Sequence, residues 1–304
     1  PPYATICGIT KQELIDTFTP ELDKLASYNR MTPEYTIHKM TSLYDGYHFC
    51  EYAEGMFNPF SVLNVFDGYK FENYWFQTGT PTFLVKMLMD SNYDLRTLID
   101  GVEANAASFN EYRAESRNPI PLIYQSGYLT IKEYDPRFKT YQLAFPNDEV
   151  RYGFMNFLLP FYSNIPDNEQ DFYIGKFVHE LESGNINAFL TRLQAFFADI
   201  PYELNDQTER HYQTVFYLIF KLMGQFTQAE VRSAKGRADA VVKTPKYIYV
   251  FEFKLDGSVD EALRQIDEKG YLIPYTVDGR QLVKVGASFD KEKRNIGEWK
   301  AIFC

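Results

Sequence analysis

The chain has 304 residues, of which 45% are hydrophobic and 24% charged, a composition that excludes wholesale disorder and collagen-like repetition. Its 31 Lys and Arg against 41 Asp and Glu leave a net charge of −10, which taken whole argues against a nucleic-acid binder, because phosphate contacts need clustered cations. Cys7, Cys50 and Cys304 are scattered without a CxxC, and no apolar run approaches the roughly 20 residues of a membrane helix, so a disulfide framework, a structural zinc site and a membrane span are excluded and a cytoplasmic protein is expected.

The opening PPYATICGIT reads as the interior of a longer chain rather than a start or a secretory leader. From Thr10 to Tyr28, Leu14, Phe18, Leu22 and Leu25 recur at spacings of three and four and predict a helix. Thr32-Pro33-Glu34 starts a second helix, Asp45-Gly46 marks a turn, and Asn58-Pro59 and Thr80-Pro81 each open a short helix. Pro119 to Gln125 is a further short helix. Tyr128–Tyr134 and Tyr141–Phe145 then predict two strands of a hairpin, and Asn147 caps a helix with Val150, Phe154, Phe157 and Leu158 on one face. Helices over 169–182 and 186–199 follow. Short helices before a two-stranded ribbon resemble a winged helix, here in acidic surroundings.

Ile200-Pro201 is the expected boundary between a mostly helical region, 1–200, and a mixed α/β domain, 201–304. The charge divides there too: 15 Lys and Arg against 26 Asp and Glu before it, 16 against 15 after it. Beyond the boundary the predicted order is α-β-β-β-α-β-β: a helix over 207–223, strands near 226–232, 237–242 and 247–253, a helix near 258–270, and strands near 281–288 and 295–303.

The chemistry lies in GRADAVVKTPKYIYVFEFK, residues 236–254. Side chains alternate across a strand, so Glu252 and Lys254 share one face and Phe251 and Phe253 the other. A tight hairpin about Thr244-Pro245-Lys246 brings Asp239 near Glu252. Charged residues rarely enter so apolar a strand unless they are paired or hold a metal. Two close carboxylates suit a hard cation such as Mg²⁺ or Mn²⁺, which leaves coordination positions for water and phosphate. Lys254 is then placed to orient water or offset charge in the transition state.

Asp239-x(12)-Glu252-x-Lys254, within this element order, resembles the PD-(D/E)XK nuclease superfamily, with Ala238 where that pattern usually has Pro. The resemblance implies a restriction-endonuclease-like α/β domain with a central mixed sheet. It implies metal-dependent phosphodiester hydrolysis, with Asp239 and Glu252 as ligands, Lys254 as catalytic lysine, and an added acid from the first helix, best matched by Glu209 and less well by Glu230. Gln265 and Tyr271 resemble the glutamine-and-tyrosine helix of RecB-type members at a different spacing, which implies a substrate-groove role; Arg237 either contacts phosphate or holds the hairpin acid. FDGYKFENYWFQTGTPTFLVKML, YDGYHF, NPFSVL and YQSGYLTI are similar to the C-terminal part of the AAA-ATPase-like proteins of gut bacteria. This implies that residues 1–200 are the lid and winged-helix-like remainder of an ATPase whose core lies upstream. No GxxxxGK[ST] loop is present, so no ATP site is expected here.

Blander readings stand beside these. Glu252 and Lys254 also fit a plain strand ion pair, Glu209 and Glu230 fit solvated or structural acids, and His38, His48, His179 and His211 fit packing or surface roles. The aromatic stripe YKFENYWF, 69–76, fits core packing rather than base stacking. The expected function is a metal-dependent nuclease acting on DNA before RNA. The alternative is a catalytically degenerate nuclease fold that binds nucleic acid or a protein partner within an ATPase-like protein. Residues 1–200 also fit an oligomerisation surface.

Overall fold

The computed structural model describes residues 4–304 except 80, 92, 107–108, 110–117, 164, 167–168, 201–208, 232–238, 256 and 291. The side chains of Thr78, Gln170, Phe172, Glu209, Arg210 and Tyr212 are likewise outside the description. No helix among the described residues is long and apolar enough to cross a membrane. The chain forms two compact units, Pro1–Phe157 and Leu158–Cys304.

The first unit opens with helix α1 (Lys11–Asn29), started by a capping box in which Thr10 and Glu13 satisfy each other's backbone N–H groups. Pro20 lacks an N–H to donate back along the helix, and the backbone leaves helical geometry at Phe18. Helices α2 (Pro33–Tyr44) and α3 (Pro59–Gly68) are capped by Thr32 and Asn58, each with proline at the first turn. Leu14, Leu25, Met40, Tyr44, Phe57, Val62 and Val65 from these segments are fully buried together. Helices α4 (Thr82–Asp90) and α5 (Leu95–Asp100), strand β1 (Val102–Asn105), helix α6 (Ile120–Gln125) and strands β2 (Thr130–Asp135) and β3 (Thr140–Ala144) complete the unit with the start of helix α7 (Asp148–Tyr162).

The expected β2–β3 hairpin is present, but as part of a three-stranded sheet in which β1 pairs antiparallel with β3. Four residues, VEAN, are too short a run to signal a strand; their partner creates it. Glu149 on α7 is fully buried, and its carboxylate accepts from Ser61 Oγ at 2.8 Å and from the backbone N–H groups of Tyr74 at 2.7 Å and Trp75 at 2.9 Å. Tyr74, inside the aromatic stripe, is itself buried.

The second unit contains the end of α7, then helices α8 (Gln170–Glu182), α9 (Ile186–Ala198) and α10 (Glu209–Met223). Strands β4 (Gln228–Val231), β5 (Ala240–Lys243) and β6 (Tyr247–Lys254), helix α11 (Val259–Glu268), and strands β7 (Gln281–Asp290) and β8 (Asn295–Phe303) follow. The sheet order is β4-β5-β6-β7-β8; β6 and β7 are parallel, joined through α11, and the other neighbours are antiparallel. This is the mixed open sheet expected after residue 200.

The division between the two compact units falls inside α7. Contacts to the sheet and to α10 show why α8 and α9 belong with this unit. Tyr249 Oη donates to the Leu181 carbonyl at 2.8 Å, Gln194 Nε2 donates to the Ile296 carbonyl at 2.6 Å, and the Phe189 ring lies 5.7 Å from Phe251 and 5.9 Å from Phe220. Strand β6 is therefore buried on both faces. Tyr247, Tyr249, Phe251 and Phe253 form a continuous row of ring contacts on one face. On the other, Ile248 and Val250 pack with Val259, Leu263 and Ile266 of α11.

Candidate active site

The β5–β6 hairpin sets the site. Ala240 pairs with Phe251, and Asp239 N–H donates to the Phe251 carbonyl at 3.1 Å, so Asp239 sits level with Glu252 across the hairpin. Asp239 Oδ2 accepts from the Phe253 backbone N–H at 2.7 Å, which fixes the carboxylate against the outgoing strand. Residue parity puts Asp239, Val241, Val250, Glu252 and Lys254 on the α11 face. The apolar members of that face bury the hairpin, and the charged ones gather at its open end.

Glu252 is 3% exposed. Its Oε1 meets Lys254 Nζ at 3.1 Å and also accepts from Gln265 Nε2. Lys254 Nζ donates in turn to Gln265 Oε1, so the amide bridges both charged groups. Glu252 Oε2 is buried with no hydrogen-bond partner among the described residues. Burial, reinforced by repulsion from Asp239, pushes Glu252 up to about 7, against the pull of Lys254. Burial also raises Asp239, opposed by the Phe253 N–H and Lys254.

Gln265 reaches the carboxylate because α11 packs very close to the sheet. In the parallel register Glu252 lies opposite Gly286. A Cβ at Gly286 would stand 2.8 Å from the Val259 carbonyl and 3.0 Å from Leu263 Cγ. A glycine inside an apolar strand marks such an approach, so LVKVGAS carried a readable signal for this contact. The helix then ends in a Schellman turn: Gly270, at φ 61°, donates to Asp267, and Tyr271 donates to Ile266. That turn folds Tyr271 back until its hydroxyl is 3.4 Å from Gln265 Nε2.

The structure thus brings together Asp239, Glu252, Lys254, Gln265 and Tyr271. Glu230 lies on β4 in register with Val241, on the same sheet face and two residues along from the level of Asp239. The backbone of Glu209 begins α10, but its side chain lies outside the described residues, as does Arg237 altogether. His211 is buried and stacks on Tyr162 at 5.9 Å, in line with a packing role. The main-chain N–H of Phe253, which orients Asp239, has no side-chain signature and was invisible in the sequence.

Among the described residues no group of three His, Cys, Asp or Glu side chains is placed to hold a metal ion. Asp239 and Glu252 supply two hard oxygen donors, and the unpartnered Glu252 Oε2 beside a second, half-buried carboxylate is a charge arrangement a divalent cation fits. Further ligands would come from main chain, water or a phosphate.

An uncharacterized protein in the vnfD 5′ region of Azotobacter chroococcum mcd 1 is 29% identical to this chain over 97% of its length. The chain spans 56% of that relative's own length. No solved structure matches. Residues 207–299, which contain the whole of the assembled site, match the PD-(D/E)XK nuclease superfamily.

Proposed function

We propose that this chain is a divalent-cation-dependent nuclease that hydrolyses phosphodiester bonds in nucleic acid, with DNA as its first candidate substrate. The observation that carries the reading is the buried, unpartnered Glu252 Oε2 beside Asp239, with the Lys254 ammonium 3.1 Å from the other Glu252 oxygen. Leaving a carboxylate oxygen orphaned in the interior costs on the order of 1–3 kcal/mol, which a bound cation would offset.

In this reading Asp239 and Glu252 hold Mg²⁺ or Mn²⁺. When bound, the cation neutralises charge at the phosphoryl group and acidifies water. The Phe253 N–H keeps Asp239 in position, and Gln265 keeps Lys254 and Glu252 in line. Lys254 offsets the negative charge that builds on the phosphoryl oxygens. Water oxygen bonds to phosphorus, the ester P–O bond breaks, and a proton ends on the leaving oxygen. Glu209 is the proposed further acid, Arg237 the proposed phosphate contact, and Tyr271 lines the groove with Gln265. An upstream ATPase-like region is a proposed partner, resting on the sequence resemblance.

The test is Mn²⁺ calorimetry together with cleavage of single- and double-stranded DNA and RNA. Wild type should bind Mn²⁺ saturably and cut at least one substrate; Asp239→Ala/Glu252→Ala should do neither while keeping its circular dichroism. Binding and cleavage unchanged in that variant would refute the site. Substrate binding without cleavage in wild type would instead support the degenerate-fold reading.

A further inference from the structure

We propose that the first unit carries a binding cavity for a neutral nucleobase, contacted by Tyr47 and His48 and walled by Trp75. The proposal is independent of the nuclease reading, since it concerns other residues in the other unit.

The cavity has a volume of about 330 Å³, inside the range of roughly 300–1,000 Å³ typical of small-molecule sites. Its walls are aromatic: Tyr47, Phe49, Phe57, Trp75 and Tyr124 all line it. The Tyr47 and Trp75 rings lie 5.7 Å apart, and Phe49 at the lining is 51% exposed. Such walls offer flat apolar faces to a planar ligand.

Two residues of this lining each carry a buried polar atom that stands out. Tyr47 Oη and His48 Nδ1 are buried and have no hydrogen-bond partner among the described residues. Buried orphan donors and acceptors are rare because each forfeits its hydration, and a ligand or ordered water normally satisfies them. His48 is held firmly: its N–H donates to Thr130 Oγ1 at 2.8 Å, and Thr130 Oγ1 donates to the His48 carbonyl at 3.0 Å. Burial, helped by Lys132 and opposed by the Gly46 backbone and Asp45, pushes the His48 imidazole below its ordinary value, which favours the neutral ring. Asn58 and Gln125 add amides to the lining.

Charge decides the ligand class. None of the described lining residues is an Asp, Glu, Lys or Arg. The unit around it, residues 1–157, carries 13 Lys and Arg against 20 Asp and Glu, which disfavours burying a phosphate or carboxylate inside the cavity; on a strand the phosphates stay outside it. What fits is flat, neutral and rich in hydrogen-bonding edges, and a nucleobase has that chemistry. It can arrive as a free nucleoside or as an unstacked base of a strand.

The experiment uses the full chain with Trp299→Phe, which leaves Trp75 as the sole reporter of the two tryptophans. Adenosine, guanosine, cytidine, uridine, a short single-stranded oligonucleotide and glucose are titrated against Trp75 fluorescence. Protection of the exposed Cys7 thiol, which also lines the cavity, from maleimide is followed in parallel by peptide mass spectrometry. Saturable quenching and Cys7 protection by a nucleoside support the proposal with a free ligand as the source; the same response from the oligonucleotide alone supports it with a strand as the source. Tyr47→Phe, which keeps the ring and removes the orphan hydroxyl, should weaken binding about fivefold to tenfold. The proposal is overturned if no base quenches, if glucose alone does, or if Tyr47→Phe and His48→Ala both bind like the parent.

Discussion

Replacing Glu252 by Gln reads the charge of the candidate site directly. In the folded chain burial and Asp239 push this carboxyl up to about 7. In the unfolded chain it ionises at the ordinary value of about 4.3. Between these values the folded protein holds a proton that the unfolded chain has released, so stability falls as pH rises through the window. The penalty is absent near pH 4 and complete near pH 8. A displacement of about 2.7 pH units, at about 1.4 kcal/mol each, makes it about 4 kcal/mol. Gln has the same shape and no titration, so the advantage of Glu252→Gln over wild type should grow by about 3.5 kcal/mol from pH 4 to pH 8 in EDTA. Urea unfolding at a series of pH values measures this. A Trp75→Phe background leaves Trp299, on β8, to report the second unit alone. Mg²⁺ at pH 8 should then stabilise wild type and not the variant. Stability curves that run parallel across the window, within about 0.5 kcal/mol, would show that Glu252 is not the strained carboxylate described here.

Gly286→Ala should cost about 1–3 kcal/mol and weaken Mn²⁺ binding, because the new methyl meets the Val259 carbonyl and moves α11, with Gln265, off the sheet; urea unfolding and calorimetry check the two effects. Phe189→Ala should destabilise the second unit by about 3–5 kcal/mol, since its fully buried ring packs on Phe251 and Phe220. By the same contacts a 158–304 fragment should unfold at higher urea than a 201–304 fragment, and equal midpoints would return the boundary to residue 200. Glu149→Ala should destabilise the first unit by roughly 2–4 kcal/mol, because Ser61 and the Tyr74 and Trp75 N–H groups lose their buried acceptor; Trp75 fluorescence during unfolding is the readout.

The local signals that the sequence carried are those whose cause is also local. Apolar spacing placed α1, and Thr32-Pro33 and Asn58-Pro59 placed the starts of α2 and α3, to within a few residues. Strand alternation assigned Glu252 and Lys254 to one face, and a tight turn at Thr244 brought Asp239 level with them. Each of these follows from geometry within about twenty residues of chain.

What needed the tertiary structure depends on partners far along the chain. Strand β1 exists because β3 pairs with it, not because VEAN favours extension. The edge of the second unit lies within α7 because Leu181, Phe189 and Gln194 meet residues 62 to 102 positions later, a distance no local pattern spans. The bridge from Gln265 to both Glu252 and Lys254 rests on how closely α11 approaches β7. The rise of Glu252 to about 7 likewise follows from desolvation. The sequence determined which charged groups the hairpin carries; the packing of a helix over Gly286 decided their protonation and their partners, because desolvation is a property of the assembled interior and not of any one segment.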